Sequence, residues 1–359
     1  MIATTCGSLI IGGLAGNSVP AAFERALRQG RRAGCILFER HVEDGPAHVA
    51  AQSRIVHAAA GPEPPLVGVD QEGGRVARLK APLLVVPPMR TVASWGDVAL
   101  AERIARAVGA ELAALGFTID FAPVLDVNTR ESNPIIGDRA FGEDPEICSR
   151  FGVAWVRGLQ GVGLLACGKH FPGHGDTSKD SHVALPVVSR PRDHIDRIDL
   201  VPFRAAAAAG VASMMTAHVV YSSIDAALPA TLSPALGPLL RDEVGFSGIL
   251  ITDDLGMGAI RGGWTIEEAA VLCVVAGCDA LLVCSPDDAQ ERALDALIRE
   301  AERSTSFLAR CEESSRRVLK ARRRSRARPL DDETIARLVG GRESRAVAAE
   351  IARRMDSPS

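Results

Sequence analysis

The 359-residue chain is predicted to be an α/β protein, a single-domain (β/α)8 barrel of the TIM type with irregular strands. Three observations carry that prediction. Eight short apolar runs recur along the chain. Stretches rich in Ala, Arg and Glu with helical spacing lie between them, and polar residues collect at the C-terminal ends of the runs. Strands alternating with helices build a parallel sheet. Parallel strands buried on both faces read as continuous apolar runs, and eight is the number that closes a barrel.

In order, the expected strands are SLIIGG (8–13), CILFE (35–39), PLVGVD (65–70), TIDFAPVLD (118–126), LLACGKH (164–170), SMMTAHV (213–219), GILITDD (248–254) and ALLVCS (280–285). Helical spacing is clear in DVALAERIARAVGAELAALG (97–116) and TIEEAAVLCVVAG (265–277). An open doubly wound sheet is the competing architecture. Against it, no GxGxxG follows the first strand, IGGLAG (11–16) has the wrong spacing, and no P-loop occurs, so dinucleotide binding has no support. After Ser285 the pattern stays helical and ends in a polar tail. The catalytic barrel is therefore expected over 1–325. Residues 326–359 are expected to form a C-terminal helical tail that closes the barrel or is partly disordered.

Hydrophobic content of 47% is enough for a sizeable core, and at 4% aromatic that core must be mostly Ala, Val, Leu and Ile. A formal charge of −3 argues against nucleic acid as a partner. The basic run RRVLKARRRSRARP (316–329) reads as a solvated late helix stopped by proline, with a phosphate- or membrane-surface patch as the alternative. Eight cysteines without a CxxC pair, several inside apolar runs, behave as small hydrophobes, and no disulfide framework is expected. The N-terminal apolar segment is too short to span a bilayer and lacks the basic start of a signal peptide, so it reads as the first strand. A reducing, cytoplasmic setting with no membrane partner follows as an expectation; oligomeric state has no signal.

Asp70, Asp126, Lys169, His170, His218 and Asp253 each fall at the C-terminal end of an expected strand, the face where parallel barrels build active sites. Lys169 to His182, KHFPGHGDTSKDSH, adds a dense polar loop. His170 and His174 are four apart, but Pro172 and Gly173 break a helix between them, and no HxH or HExxH occurs. With too few ligands for zinc, no metal is expected. Gly173, Gly175, Asp176, Thr177 and Ser178 are turn formers. Asp180 and His182 are two apart, on one side of an extended segment. A carboxylate beside an imidazole fixes its tautomer and raises its basicity, as general acid–base work needs. GILITDDLGMG (248–258) sets two aspartates at a strand end, of which a helix N-cap would explain one. A carboxylate nucleophile with a separate proton donor is the minimum set for retaining glycoside hydrolysis.

These motifs, together with DQEGGRVARL (70–79), NPIIGDRAFGED (133–144) and LLRDEVGFSGILITDDLG (239–256), resemble the glycoside hydrolase family 3 β-N-acetylglucosaminidases, in particular the single-domain bacterial β-hexosaminidases of peptidoglycan recycling. The resemblance runs in order from about Leu9 to Ser285. It implies a (β/α)8 barrel with Asp253 as nucleophile, His182 as general acid/base and Asp180 orienting His182. Asp70, Arg78, Arg139, Lys169 and His170 would bind the sugar, and His174 and Asp176 would shape the loop. His218 and Asp254 receive no role. The implied substrate is a muropeptide-derived N-acetylglucosaminide, N-acetylglucosamine on anhydro-N-acetylmuramic acid with or without peptide, cleaved without metal or cofactor. The alternatives are a substrate-assisted enzyme, a family 3 β-glucosidase, transfer to phosphate, and a non-catalytic sugar-binding barrel. The last predicts a broken nucleophile or acid/base, and both are intact here.

Overall fold

Eight parallel strands follow one another around a ring: β1 Ile10–Gly13, β2 Gly34–Ile36, β3 Leu66–Val69, β4 Ile119–Asp120, β5 Leu165–Phe171, β6 Ser213–Thr216, β7 Ile249–Ile251 and β8 Leu281–Val283. The hydrogen-bonded order is β7-β6-β5-β4-β3-β2-β1-β8. A bridge from Ile251 to Ala280 and the bond from Thr252 N to Ala280 O (3.0 Å) join the two end strands and bring the sheet round on itself. The structure is a computed structural model that describes residues 1–181, 183–285 and 287–356.

All eight expected strands are present, most of them shorter than their apolar runs. The nine-residue run 118–126 shows why. It pairs as a strand only at Ile119–Asp120, because Pro123 has no N–H for the ladder, and pairing resumes as a single bridge from Val124 to Lys169. The first run is also trimmed, since a short helix at Ile2–Gly7 precedes β1. Helix ends follow local chemistry. Asp97 accepts from Leu100 N (2.9 Å) to start Val98–Ala114, and Thr265 and Glu268 form a capping box that starts Ile266–Ala276. The latter helix stops at Gly277, whose φ of 107° is left-handed.

Ile11, Ile36, Leu66, Ile119, Met215 and Leu282 fill the barrel interior. Val318 and Ala321, from the helix Thr305–Arg324, belong to the same cluster and plug the end of the barrel away from the site. This corrects the solvated reading of the basic run. The helix does end before Pro329, but one face of it is buried, and its arginines grip the framework. Arg310 and Arg317 bind the buried Asp279 at 2.8 and 3.2 Å, beside Arg241 at 2.6 Å, and Arg322 Nε donates to Pro64 O (2.6 Å). Beyond it, Asp332–Leu338 and Arg342–Asp356 pack on Val98–Ala114. There the buried Glu111 accepts from Leu84 N (2.8 Å), Gly340 N (2.8 Å) and Ser344 Oγ (2.6 Å). The eight cysteines are free thiols. Among the described residues, no helix is long and apolar enough to cross a membrane.

Candidate active site

A pocket of about 220 Å³ opens where the strands end. That is below the ~300–1,000 Å³ of sites for drug-sized ligands and suits a single ring. Asp70, Arg78, Arg139, Lys169, His170 and Asp253 all line it, so residues spread over more than half of the sequence converge on one cavity. His182 lies outside the described residues. Asp180 is described: its carbonyl accepts from Val183 N (3.1 Å) and Ala184 N (3.0 Å).

One wall is an alternating charge network. Lys169, near the end of β5, donates from Nζ to Asp70 Oδ1 (2.9 Å) and Glu72 Oε1 (2.6 Å). Arg139 forms a fork with Glu72, with both contacts at 2.8 Å. Arg78 only approaches Asp70, at 3.4 Å. Burial works against every charge here, but opposite charges prevail. Burial would raise the Glu72 carboxyl, yet Arg139 and Lys169 hold it well below the usual range. Burial would lower the Lys169 ammonium, yet Asp70 and Glu72 hold it above its ordinary value. Next to them Asp120 accepts from Gln71 N (3.0 Å), and burial pushes its carboxyl well above the usual value.

A second group fixes the histidines. Asp126 is fully buried beyond the proline break. It accepts from His170 N (3.1 Å) and His174 N (2.6 Å) on one oxygen, and meets His170 Nδ1 (2.7 Å) with the other. His170 is thereby aimed, with its Nδ1 occupied; the Lys169–His170 peptide is cis. His174 contacts Thr177 Oγ1 (2.8 Å) and Ser181 Oγ (3.1 Å), and burial, then His170, lowers it to about 4. It is therefore neutral near pH 7 and ties two parts of the loop together. Asp176 is held by Arg190 (2.8 and 3.1 Å), and Arg130 Nε donates to the Asp176 carbonyl (2.9 Å). Asn133 Nδ2 donates to the carbonyls of His174 and Gly175, both at 3.0 Å.

Past β7 the two aspartates separate by partner. Asp254 Oδ1 accepts from Gly256 N (3.0 Å) and Cys284 N (2.9 Å), so its carboxylate clamps backbone. Asp253 Oδ1 accepts, among the described residues, a backbone N–H, that of Asp254 (2.8 Å). Burial pushes Asp253 up, but His218, His170, that N–H and Lys169 together hold it below the usual carboxylate range, ionised. Burial instead raises Asp254. His218 lies behind the site, with Nδ1 on Thr231 Oγ1 (2.8 Å) and Nε2 donating to Asp254 O (3.0 Å).

Glu72, Asn133 and the Asp126–His170 pairing are absent from the sequence reading. Glu72 was within reach: it is two residues from Asp70, on the same side of an extended segment. Among the described residues, no cluster of three or more His, Cys, Asp or Glu is arranged to hold a metal ion.

The model of the glycosyl hydrolase family 3 N-terminal domain matches residues 16–321. A β-hexosaminidase of Nitrosomonas eutropha is 40% identical over 270 residues, 74% of this chain and 77% of that protein. A solved family 3 β-N-acetylglucosaminidase from a Paenibacillus species superposes with a TM-score of 0.89 at 36% identity, covering 99% of this chain and 68% of that one. The β-N-acetylhexosaminidase of Beutenbergia cavernae gives 0.82 at 29% identity, over 90% of this chain and 98% of that one. With a family match over residues 16–321 and a relative 40% identical across about three quarters of each chain, the chain belongs to glycosyl hydrolase family 3.

Proposed function

We propose that this family 3 glycoside hydrolase is a retaining, exo-acting β-N-acetylhexosaminidase working through a covalent glycosyl-aspartate. The observation that carries the reading is an ionised, pocket-lining Asp253 sharing one ring-sized cavity with Asp70, Arg78, Arg139, Lys169 and His170. The named relatives supply the choice of an acetamido sugar. Asp253 attacks the anomeric carbon as His182 protonates the departing oxygen, and the β centre becomes an α-linked ester. Water, deprotonated by His182, then displaces Asp253 and restores the β configuration. Asp180 orients His182. Asp70, Lys169, Arg139, Arg78 and His170 hold the hydroxyls and the acetamide carbonyl through charge-assisted bonds.

The substrate fitting this reading is N-acetylglucosamine β-linked to anhydro-N-acetylmuramic acid, with or without peptide, met in the cytoplasm. Residues 1–325 would form the catalytic unit and 326–359 the tail that secures it. Purified protein in EDTA should release nitrophenol from p-nitrophenyl β-N-acetylglucosaminide and not from the β-glucoside. Release from the glucoside alone, or activity lost in EDTA, would overturn the reading.

A further inference from the structure

We propose that Glu72 is the positioning residue of the sugar-binding wall: one carboxylate aims Arg139 and Lys169 together and fixes which of their N–H groups face the sugar. This rests on the proposed function. The geometry separates Glu72 from Asp70, the other acid on Lys169. Glu72 is 2% exposed, and both its oxygens are taken, Oε1 by Lys169 Nζ and Arg139 Nη2, Oε2 by Arg139 Nε. Asp70 is more open, and among the described residues its Oδ2 has only the 3.4 Å approach of Arg78. Asp70 is therefore left with an oxygen to offer a hydroxyl, whereas Glu72 works through its cations.

Donor counting sharpens the point. The Lys169 ammonium uses one N–H on Asp70 and one on Glu72, which leaves one among the described residues. Arg139 uses Nε and one Nη2 hydrogen on Glu72 and one Nη1 hydrogen on Ile135 O (3.1 Å), which leaves two among the described residues. The wall thus presents a small, directed set of charged donors. Without the shared carboxylate Lys169 would be left to Asp70, Arg139 would lose its carboxylate partner among the described residues, and each would turn toward other acceptors. Asp120 is no substitute, since its placed contact is with a backbone N–H and burial disfavours its charge.

The test uses the full chain with two variants, Glu72→Gln and Glu72→Asp. Melting temperature, kcat and KM on p-nitrophenyl β-N-acetylglucosaminide, and the inhibition constant of free N-acetylglucosamine are measured for each. Glu72→Asp keeps the charge but is one methylene short of spanning both cations. It should stay folded and still raise KM and the inhibition constant about ten- to hundred-fold, as loss of a charged hydrogen bond does, with kcat falling less. Glu72→Gln should show the same split wherever it folds. Wild-type KM and inhibition constant in folded Glu72→Asp would overturn the proposal, as would loss confined to kcat and melting temperature. Wild-type hydrolysis is scored separately. Sugar binding that depends on Glu72 in a chain that does not hydrolyse would refute the reaction and leave Glu72 its role.

Discussion

Replacing Asp126 with Asn changes one functional group and leaves the shape of the side chain alone. The Asn carbonyl can keep the two backbone donors that Asp126 Oδ1 holds, His170 N (3.1 Å) and His174 N (2.6 Å). Its NH2 group then occupies the position of Oδ2, 2.7 Å from His170 Nδ1. Two donors cannot face each other, so Nδ1 must give up its proton, and a ring carrying a single proton then carries it on Nε2. The nitrogen left for the pocket changes from acceptor to donor. Aspartate-to-asparagine changes beside a histidine act through the tautomer in this way. Trading the charged Asp126–His170 hydrogen bond for a neutral one of opposite direction, and losing the acceptor that faced the pocket, is worth about 1–3 kcal/mol, so kcat/KM on p-nitrophenyl β-N-acetylglucosaminide should fall about ten- to hundred-fold, with only a few degrees lost in melting temperature. Nitrogen-15 NMR of the ring should find the proton on Nε2. A kcat/KM within about two-fold of wild type, with the ring in the other tautomer, would refute the argument.

Two further changes probe the frame around the site. The buried Asp199 carboxyl is pushed up to about 8 by burial and by Asp126 and Asp176, which outweigh Arg190. Since the folded state holds this proton more tightly than the unfolded chain, its contribution is complete below the unfolded carboxyl pKa and is lost as pH rises from there through about 8. Asp199→Asn should therefore raise the melting temperature more at pH 8 than at pH 5, and equal shifts at both would contradict the assignment. Glu111→Ala strips the acceptor from Leu84 N, Gly340 N and Ser344 Oγ. It should cost about 3 kcal/mol by denaturant titration and expose 332–356 to proteolysis. A loss below about 0.5 kcal/mol would mean that the tail is not held there.

Strand existence was legible because buried parallel strands are apolar on both faces, and each of the eight runs stood out between charged helices. Strand length was not, because pairing depends on individual N–H groups, as Pro123 demonstrates. The convergence of Asp70, Lys169, His170 and Asp253 on one pocket followed from their strand-end positions, whereas Arg78 and Arg139 came only with the motif resemblance. What escaped were partnerships. Glu72 and Arg139 are 67 residues apart, and no local pattern announces that pair. The basic helix misled in the opposite way. Its arginines dominate the composition, but Cys311, Ser314, Val318 and Ala321 recur at three- and four-residue spacing and form its buried face. Asp253 and Asp254 could not be told apart by periodicity; what separates them is the backbone N–H groups that only Asp254 collects, at Gly256 and Cys284.

In the proposed reaction Asp253 becomes covalently bonded to the sugar. Incubating the protein with a 5-fluoro or 2-fluoro N-acetylglucosaminyl donor, followed by proteolysis and mass spectrometry, tests it directly. One added glycosyl group is expected, on the peptide that carries Asp253 and on that residue. No adduct under any condition, with Asp253→Ala still hydrolysing the nitrophenyl substrate, would contradict it and hand the nucleophile's role to the substrate's own acetamide.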